Sequence, residues 1–474
     1  QKTAYEIVDC DWSSDVCSSD LAAEAAPDPR AADLRQLQGL DLGMARIPVA
    51  QAYLDGLLQR IQAAGPQPAR PAQVLIRPKL SYNAATAASG LIIVDLGWLK
   101  SIESEAELAA LLAHEYGHLV NDHLGSKNQI GSATHYGLMV ANALAARAKV
   151  DNTLTLSVVN SSWSSLLMPS WSRNQEYESD AFAVETTQAM GLPYVPSVRA
   201  FLERIQSVER AAGGPAKAVD NEGRPLPKAE DDHPPIEERI ARANRLVEGR
   251  PRVRPKGGPD AWRAVRDSAE FRAAEEEYVL AARYLEAVKA RRGGDQQAAA
   301  RAIDARPRPL RTAAAQTLLA WSQPDPARRM PLLEAALAMP DASFMPYALL
   351  AQTQRDLGRF KDSHATLQAG LDRFDSPYQL WPDVIEFQRS TTERIDALPP
   401  AQKTMELSWF GTQLMAQMVA LKARCVLNPE VSDACQWASL NAQQRQQQAA
   451  QQKAKEEKAA RKLEQKVDSL FKRK

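Results

Sequence analysis

Ser104–Val120 reads SEAELAALLAHEYGHLV. Ser104 followed three residues later by Glu107 is a capping-box start. Leu108, Leu111, Leu112, Leu119 and Val120 then continue at helical spacing, with Gly125 as the expected stop. His114 and His118 stand four residues apart, one turn along one face, so their imidazoles can converge on a single ion at about 2.0–2.1 Å each. Glu115 is placed to reach a water on that ion rather than the ion itself. Zinc lowers the pKa of such a water to about 7. A carboxylate beside it takes a proton as the water attacks a peptide carbonyl and passes it to the leaving amine. The chain has only six histidines, so a chance His-Glu-x-x-His is on the order of one in two hundred from composition, and the pattern is read as a site. His123, one residue past a full turn from His118, is expected to point away from the metal and to be structural.

Two histidines leave a catalytic zinc one protein ligand short. Ser172–Ala181, SRNQEYESDA, reads as a second helix, with apolar Phe182, Ala183 and Val184 and a stop at Gly191-Leu192-Pro193. Glu176 and Asp180 are four apart and share a face, so one carboxylate can bind the ion while the other orients a ligand imidazole. By spacing alone Glu176 and Glu178 compete for the ligand's place, and a solvated acidic face is the structural alternative.

His-Glu-Tyr-Gly-His followed by a distant Glu-x-x-x-Asp resembles the metallopeptidase family that contains the CAAX prenyl protease, the heat-shock protease HtpX and the periplasmic β-barrel assembly-enhancing protease. The resemblance covers most of 22–250: Asn83-Ala84 and Gly90–Val94 look like the strand segment before the zinc helix, Glu107-Leu108-Ala109 leads into it, and Ser172–Ala181 matches the second helix. It implies one zinc ion held by His114, His118 and Glu176, Glu115 as the catalytic base, and Asp180 as the partner of a ligand imidazole. Ser179 stands where the family usually has Ala. Asp232-His233-Pro234-Pro235 with Arg239 is similar to a segment that lies over the active site in the assembly-enhancing members. By that resemblance His233 is a displaceable fourth ligand, a latch on a mobile 211–232 loop, and Arg239 a catalytic-site residue.

The expected fold is mostly α with a small β-sheet, an α+β zincin-like peptidase domain over 22–249, followed by an all-α helical-repeat domain. Val74–Ile76 and Leu91–Val94 read as a strand pair. Residues 250–260, with three prolines and two glycines, read as a linker. From 261 to 424, breaks recur every thirty-odd residues. The unit Tyr347, Leu350, Ala351, Gly358, Phe360, Leu367, Gly370, Leu371, Pro377 resembles a tetratricopeptide repeat, with weaker copies over 284–310 and 318–340. A segment from 425 to 474 closes the chain: Cys425 and Cys435 fit one disulfide of an oxidising compartment, with two free buried thiols as the alternative, and the Gln-, Lys- and Ala-rich tail reads as solvated helix or disorder rather than a partner-binding helix.

Residues 1–21, QKTAYEIVDCDWSSDVCSSDL, have no apolar periodicity and resemble the conceptual translation of a sequencing adapter; they are set aside as an artefact. Of the 58 basic and 58 acidic residues they hold one lysine and five acidic residues, so the remainder carries a net charge of +4, which gives no pointer to nucleic acid. No apolar run reaches the length of a transmembrane helix. The charge-free stretch 152–172 holds eleven Ser, Thr or Asn residues, so it is expected to be buried or to lie on an interface, with peripheral membrane contact. The functional expectation is a periplasmic, outer-membrane-associated zinc endopeptidase that acts on unfolded or misassembled proteins. Its repeats would engage those substrates or the outer-membrane assembly machinery, with substrate adding as a strand near 83–89. The alternative is a chaperone or scaffold of outer-membrane assembly with a latent protease site.

Overall fold

The computed structural model describes residues 29–66, 68–123, 172–211, 234–254, 260–290, 292–440 and 443–448, with isolated positions beyond. The expected latch His233, the loop 212–232, the stretch 151–171 and the adapter-like 1–21 lie outside the described residues. Among those described, no helix is long and apolar enough to cross a membrane.

Helix α1 (Pro29–Gly39) is followed by α2 (Pro48–Ala64). Proline at the start of α2 suits a position whose N–H has no helical partner, and Ala50, Leu54, Leu57, Leu58 and Ile61 form its buried stripe. Three strands follow, β1 (Gln73–Arg77), β2 (Ala84–Thr86) and β3 (Leu91–Asp95), in the order β1-β3-β2. The expected strand pair forms as parallel neighbours, Gln73 opposite Leu91 through Arg77 opposite Asp95. The chain between them returns along the far side of β3 as antiparallel β2, Ala84 opposite Val94. Every residue of β3 is buried, which accounts for its continuous apolar run in place of alternation.

After the short α3 (Leu96–Ser101) comes α4 (Glu105–Val120), packed on β2, β3 and α2. Its Ser104 cap forms, accepting from Glu107 N at 3.2 Å, but the reciprocal half of the box does not. The Glu107 carboxylate turns instead to Arg204, 2.9 Å from Nη2. The helix stops at Val120, short of Gly125, because Asn121 caps it and Asp122 swings to φ 54°. Short Asn and Asp side chains tolerate that region better than most. Beyond lie α5 (Arg173–Ala189), a π-helical turn (Val195–Arg199), α6 (Ala200–Ala211) and α7 (Ile236–Val247).

The expected linker does not separate two bodies. At its end Asp260 Oδ2 accepts from Glu105 N, the first residue of α4, at 2.9 Å, while Oδ1 accepts from Arg263 N to cap α8 (Ala261–Arg266). Trp262 is fully buried against Tyr53 and Phe271, and its Nε1 donates to Ile102 O at 3.0 Å. The N-terminal segment closes the junction from the other side. Tyr278 accepts from Arg46 N and donates to Asp341, both at 2.8 Å, and Ser343 donates to Asp41 O at 3.0 Å. One core cluster accordingly runs from Leu37 to Ala438.

The remaining chain is helical: α9 (Ala269–Lys289) with α10 (Gly293–Asp304), α11 (Ala313–Ser322) with α12 (Pro326–Leu337), and α13 (Phe344–Asp356) with α14 (Phe360–Arg373). The second helices begin at 293, 326 and 360, a period of about 34. In the last pair a Cβ on Gly370 would come within 2.9 Å of Phe344 and Tyr347, so only glycine lets α14 seat there. Three further helices, α15 (Trp381–Asp396), α16 (Pro400–Leu427) and α17 (Pro429–Ser439), follow, and residues 443–448 are helical as well. The expected boundary at 424/425 falls inside α16, and the Cys425–Cys435 disulfide ties that helix to α17.

Replacing Trp262 with alanine removes a ring from the junction and leaves a cavity, so stability should fall by about 3–5 kcal/mol. The denaturation midpoint measures this. A freely jointed pair of domains would show almost no change.

Candidate metal centre

Thirteen successive residues of α4, Glu107 to Leu119, are buried, so the helix is a core element and its polar groups need internal partners. α5 lies against it. It begins at a complete capping box: Ser172 accepts from Gln175 N at 3.4 Å and Gln175 Oε1 accepts from Ser172 N at 3.0 Å. Close approach depends on Gly117, where a Cβ would stand 3.2 Å from the Phe182 ring. That contact brings Glu176 over the histidines.

His114 Nε2 and His118 Nε2 are 3.2 Å apart; Glu176 Oε2 lies 3.5 Å from the first and Oε1 4.0 Å from the second. All three donors sit within 4.8 Å of one another, buried. Ligands about 2.0–2.1 Å from a tetrahedral ion lie about 3.3–3.4 Å apart, so two imidazoles and one carboxylate at these spacings fit zinc with a coordination position left over. The spacing-based competition resolves geometrically: Glu176 joins the histidines, whereas the Glu178 side chain is largely solvent-exposed.

Each imidazole is held by its other nitrogen. Asp180 Oδ1 lies 3.0 Å from His114 Nδ1, so His114 donates there and leaves Nε2 free to bind metal. His118 Nδ1 lies 3.0 Å from His123 Nδ1. The expectation that His123 points away is therefore corrected: the helix ends before it, and the turn at Asp122 folds its ring back onto His118. The readable signal was Asn121-Asp122, a dipeptide suited to leaving a helix.

Arg239, on α7, lies behind the ligands. Its Nε and Nη2 donate to Asp180 at 2.8 and 2.7 Å, and its Nη1 is 3.0 Å from Glu176 Oε2. The structure places it as a positioning cation shared by a ligand and its neighbour. Glu115 is also buried, and the Thr86 hydroxyl, at the end of β2, lies 2.9 Å from both its Oε2 and its carbonyl. Sequence reasoning did not single out Thr86; nothing in an isolated threonine three residues past Asn83 marks it.

The electrostatics suit these roles. Burial, helped by the His114 charge, holds His118 well below the usual imidazole range, in the neutral form a metal ligand needs. Burial raises the Glu115 carboxyl, with His114 and Thr86 pulling the other way, which favours a group that accepts a proton. Burial also works against ionisation of Asp180, but Arg239 and the hydrogen bonds from Arg239 and His114 outweigh it and keep its carboxyl below the ordinary value.

Removing one member of such a buried set leaves uncompensated charge. Arg239→Ala should lower the stability of the metal-free protein by about 3–5 kcal/mol, read from denaturant unfolding. A loss no larger than that of an average surface substitution would contradict the assignment.

The family model of peptidase family M48 matches residues 48–247, which run from the first residue of α2 to the last of α7. No curated protein matches the chain. The His-Glu-x-x-His helix, the convergent His114, His118 and Glu176 and this match together support a metallopeptidase of family M48 over residues 48–247, a family whose members depend on zinc.

Proposed function

We propose that the chain is a zinc-dependent endopeptidase of the cell envelope, acting on misfolded or misassembled proteins that its helical pairs help to recruit. The observation that carries the catalytic part is the convergence of His114, His118 and Glu176 beside a buried Glu115 whose carboxylate is held from β2. Zinc bound there would polarise a peptide carbonyl and acidify a water. Glu115 takes a proton from the attacking water and returns it to the leaving amine. Asp180 keeps His114 in the tautomer that presents Nε2, and Arg239 keeps Asp180 ionised while bridging it to Glu176.

Among the described residues strand β2 ends the sheet, and it carries Thr86 to Glu115. An extended peptide added along that edge would be gripped through its main chain, which suits unfolded substrates of varied sequence. The Cys425–Cys435 disulfide is consistent with an oxidising compartment such as the periplasm, and in this reading the helix pairs recruit substrate, with the outer-membrane assembly machinery as partner and peripheral membrane contact. His233 belongs to this reading as the displaceable fourth ligand.

Glu115→Gln should lower cleavage of an unfolded protein such as casein by about 10²–10⁴-fold with zinc content unchanged. Chelation should abolish cleavage and added zinc restore it. Full activity in Glu115→Gln would contradict the proposal. His233→Ala should raise basal cleavage; unchanged cleavage together with unchanged zinc affinity would remove the latch.

A further inference from the structure

The Nε2 of His118 faces the point it shares with His114 and Glu176, and its other nitrogen meets an imidazole where that of His114 meets Asp180. Its partner is the buried ring of His123, whose Nε2 lies 2.9 Å from Glu178 Oε2. A carboxylate only accepts, so neutral His123 donates from Nε2 and its Nδ1 is left as an acceptor. His118 must then donate from Nδ1, which frees Nε2.

The ring is fixed by backbone as well. His123 N donates to His118 O at 3.1 Å, and Gln175 Nε2 donates to His123 O at 3.2 Å. The first bond anchors His123 to the end of α4 and the second to the capping residue of α5. Glu176 and Glu178 thus serve one centre from two sides.

We propose that Glu178, His123 and His118 form a relay in which His123 is a positioning residue that sets the tautomer and direction of His118 toward zinc, a role that rests on the zinc-site reading above. The two ligand histidines are then held unequally. The arm on His114 ends on a buried, arginine-clamped aspartate, whereas the arm on His118 ends on an exposed glutamate.

The test is zinc affinity of the full chain, measured against a competing chromophoric chelator, with cobalt-substituted absorption spectra as a second readout. His123→Phe keeps a ring of similar size but cannot accept from His118. It should weaken zinc binding by about 10–100-fold, and its cobalt bands should shift. His123→Gln, which retains an acceptor, should recover part of that loss. Glu178→Leu should weaken binding in the same direction, and Glu178→Gln, still an acceptor for His123, should stay close to wild type. Wild-type zinc affinity and cobalt bands in a folded His123→Phe would overturn the relay. Should that variant not fold, Glu178→Leu at the exposed end decides, and wild-type affinity there overturns it equally. Failure of the underlying site is distinct: wild type and His114→Ala would then bind zinc alike.

Discussion

Three carboxylates and three imidazoles lie buried around the meeting of α4, α5 and α7, and burying such groups is costly unless charge is balanced and hydrogen bonds are complete. Arg239 meets that demand by bonding Asp180 with two nitrogens and standing 3.0 Å from Glu176 with the third. Its guanidinium geometry suits the task, since a rigid fork can serve two carboxylates at once. The rest of the site follows from this balance. Asp180 stays ionised and orients His114, Glu176 faces both Nε2 atoms, and His118 stays neutral.

The scaffold serves that arrangement from a distance. α4 is sealed on every side, by β2 and β3, α2 and α5, so the histidines have little freedom to rotate away. Its N-terminus is capped twice, by Ser104 and by Asp260 from the far side of the expected linker. The base of the helical pairs is therefore fixed to the helix that carries the ligands. Tyr278, Asp341 and the loop 40–47 lock the same junction through buried bonds.

Much of this was legible in the sequence where period and residue type coincide. The His114–His118 spacing, the second helix over Ser172–Ala181 and the period of the helix pairs are local signals, and the structure keeps them. The parallel pairing of β1 and β3 was less legible, because apolar runs of that length do not reveal strand direction. His123 was misplaced because the helix was carried on to Gly125, when Asp122 turns the chain three residues earlier. Thr86, Trp262 and Asp260 owe their roles to contacts across long stretches of chain, and no spacing rule reaches them. The apparent linker shows the limit best: proline and glycine mark a loss of regular structure, and say nothing of how firmly the next helix is seated.

X-ray absorption at the zinc edge of the purified full chain reads the ligand set itself. One zinc per chain is expected, with a first shell of nitrogen and oxygen only, at about 2.0–2.1 Å, including at least two imidazoles, and loss of that ion in His114→Ala. A sulfur shell near 2.3 Å, or a zinc content unaffected by His114→Ala, would contradict it.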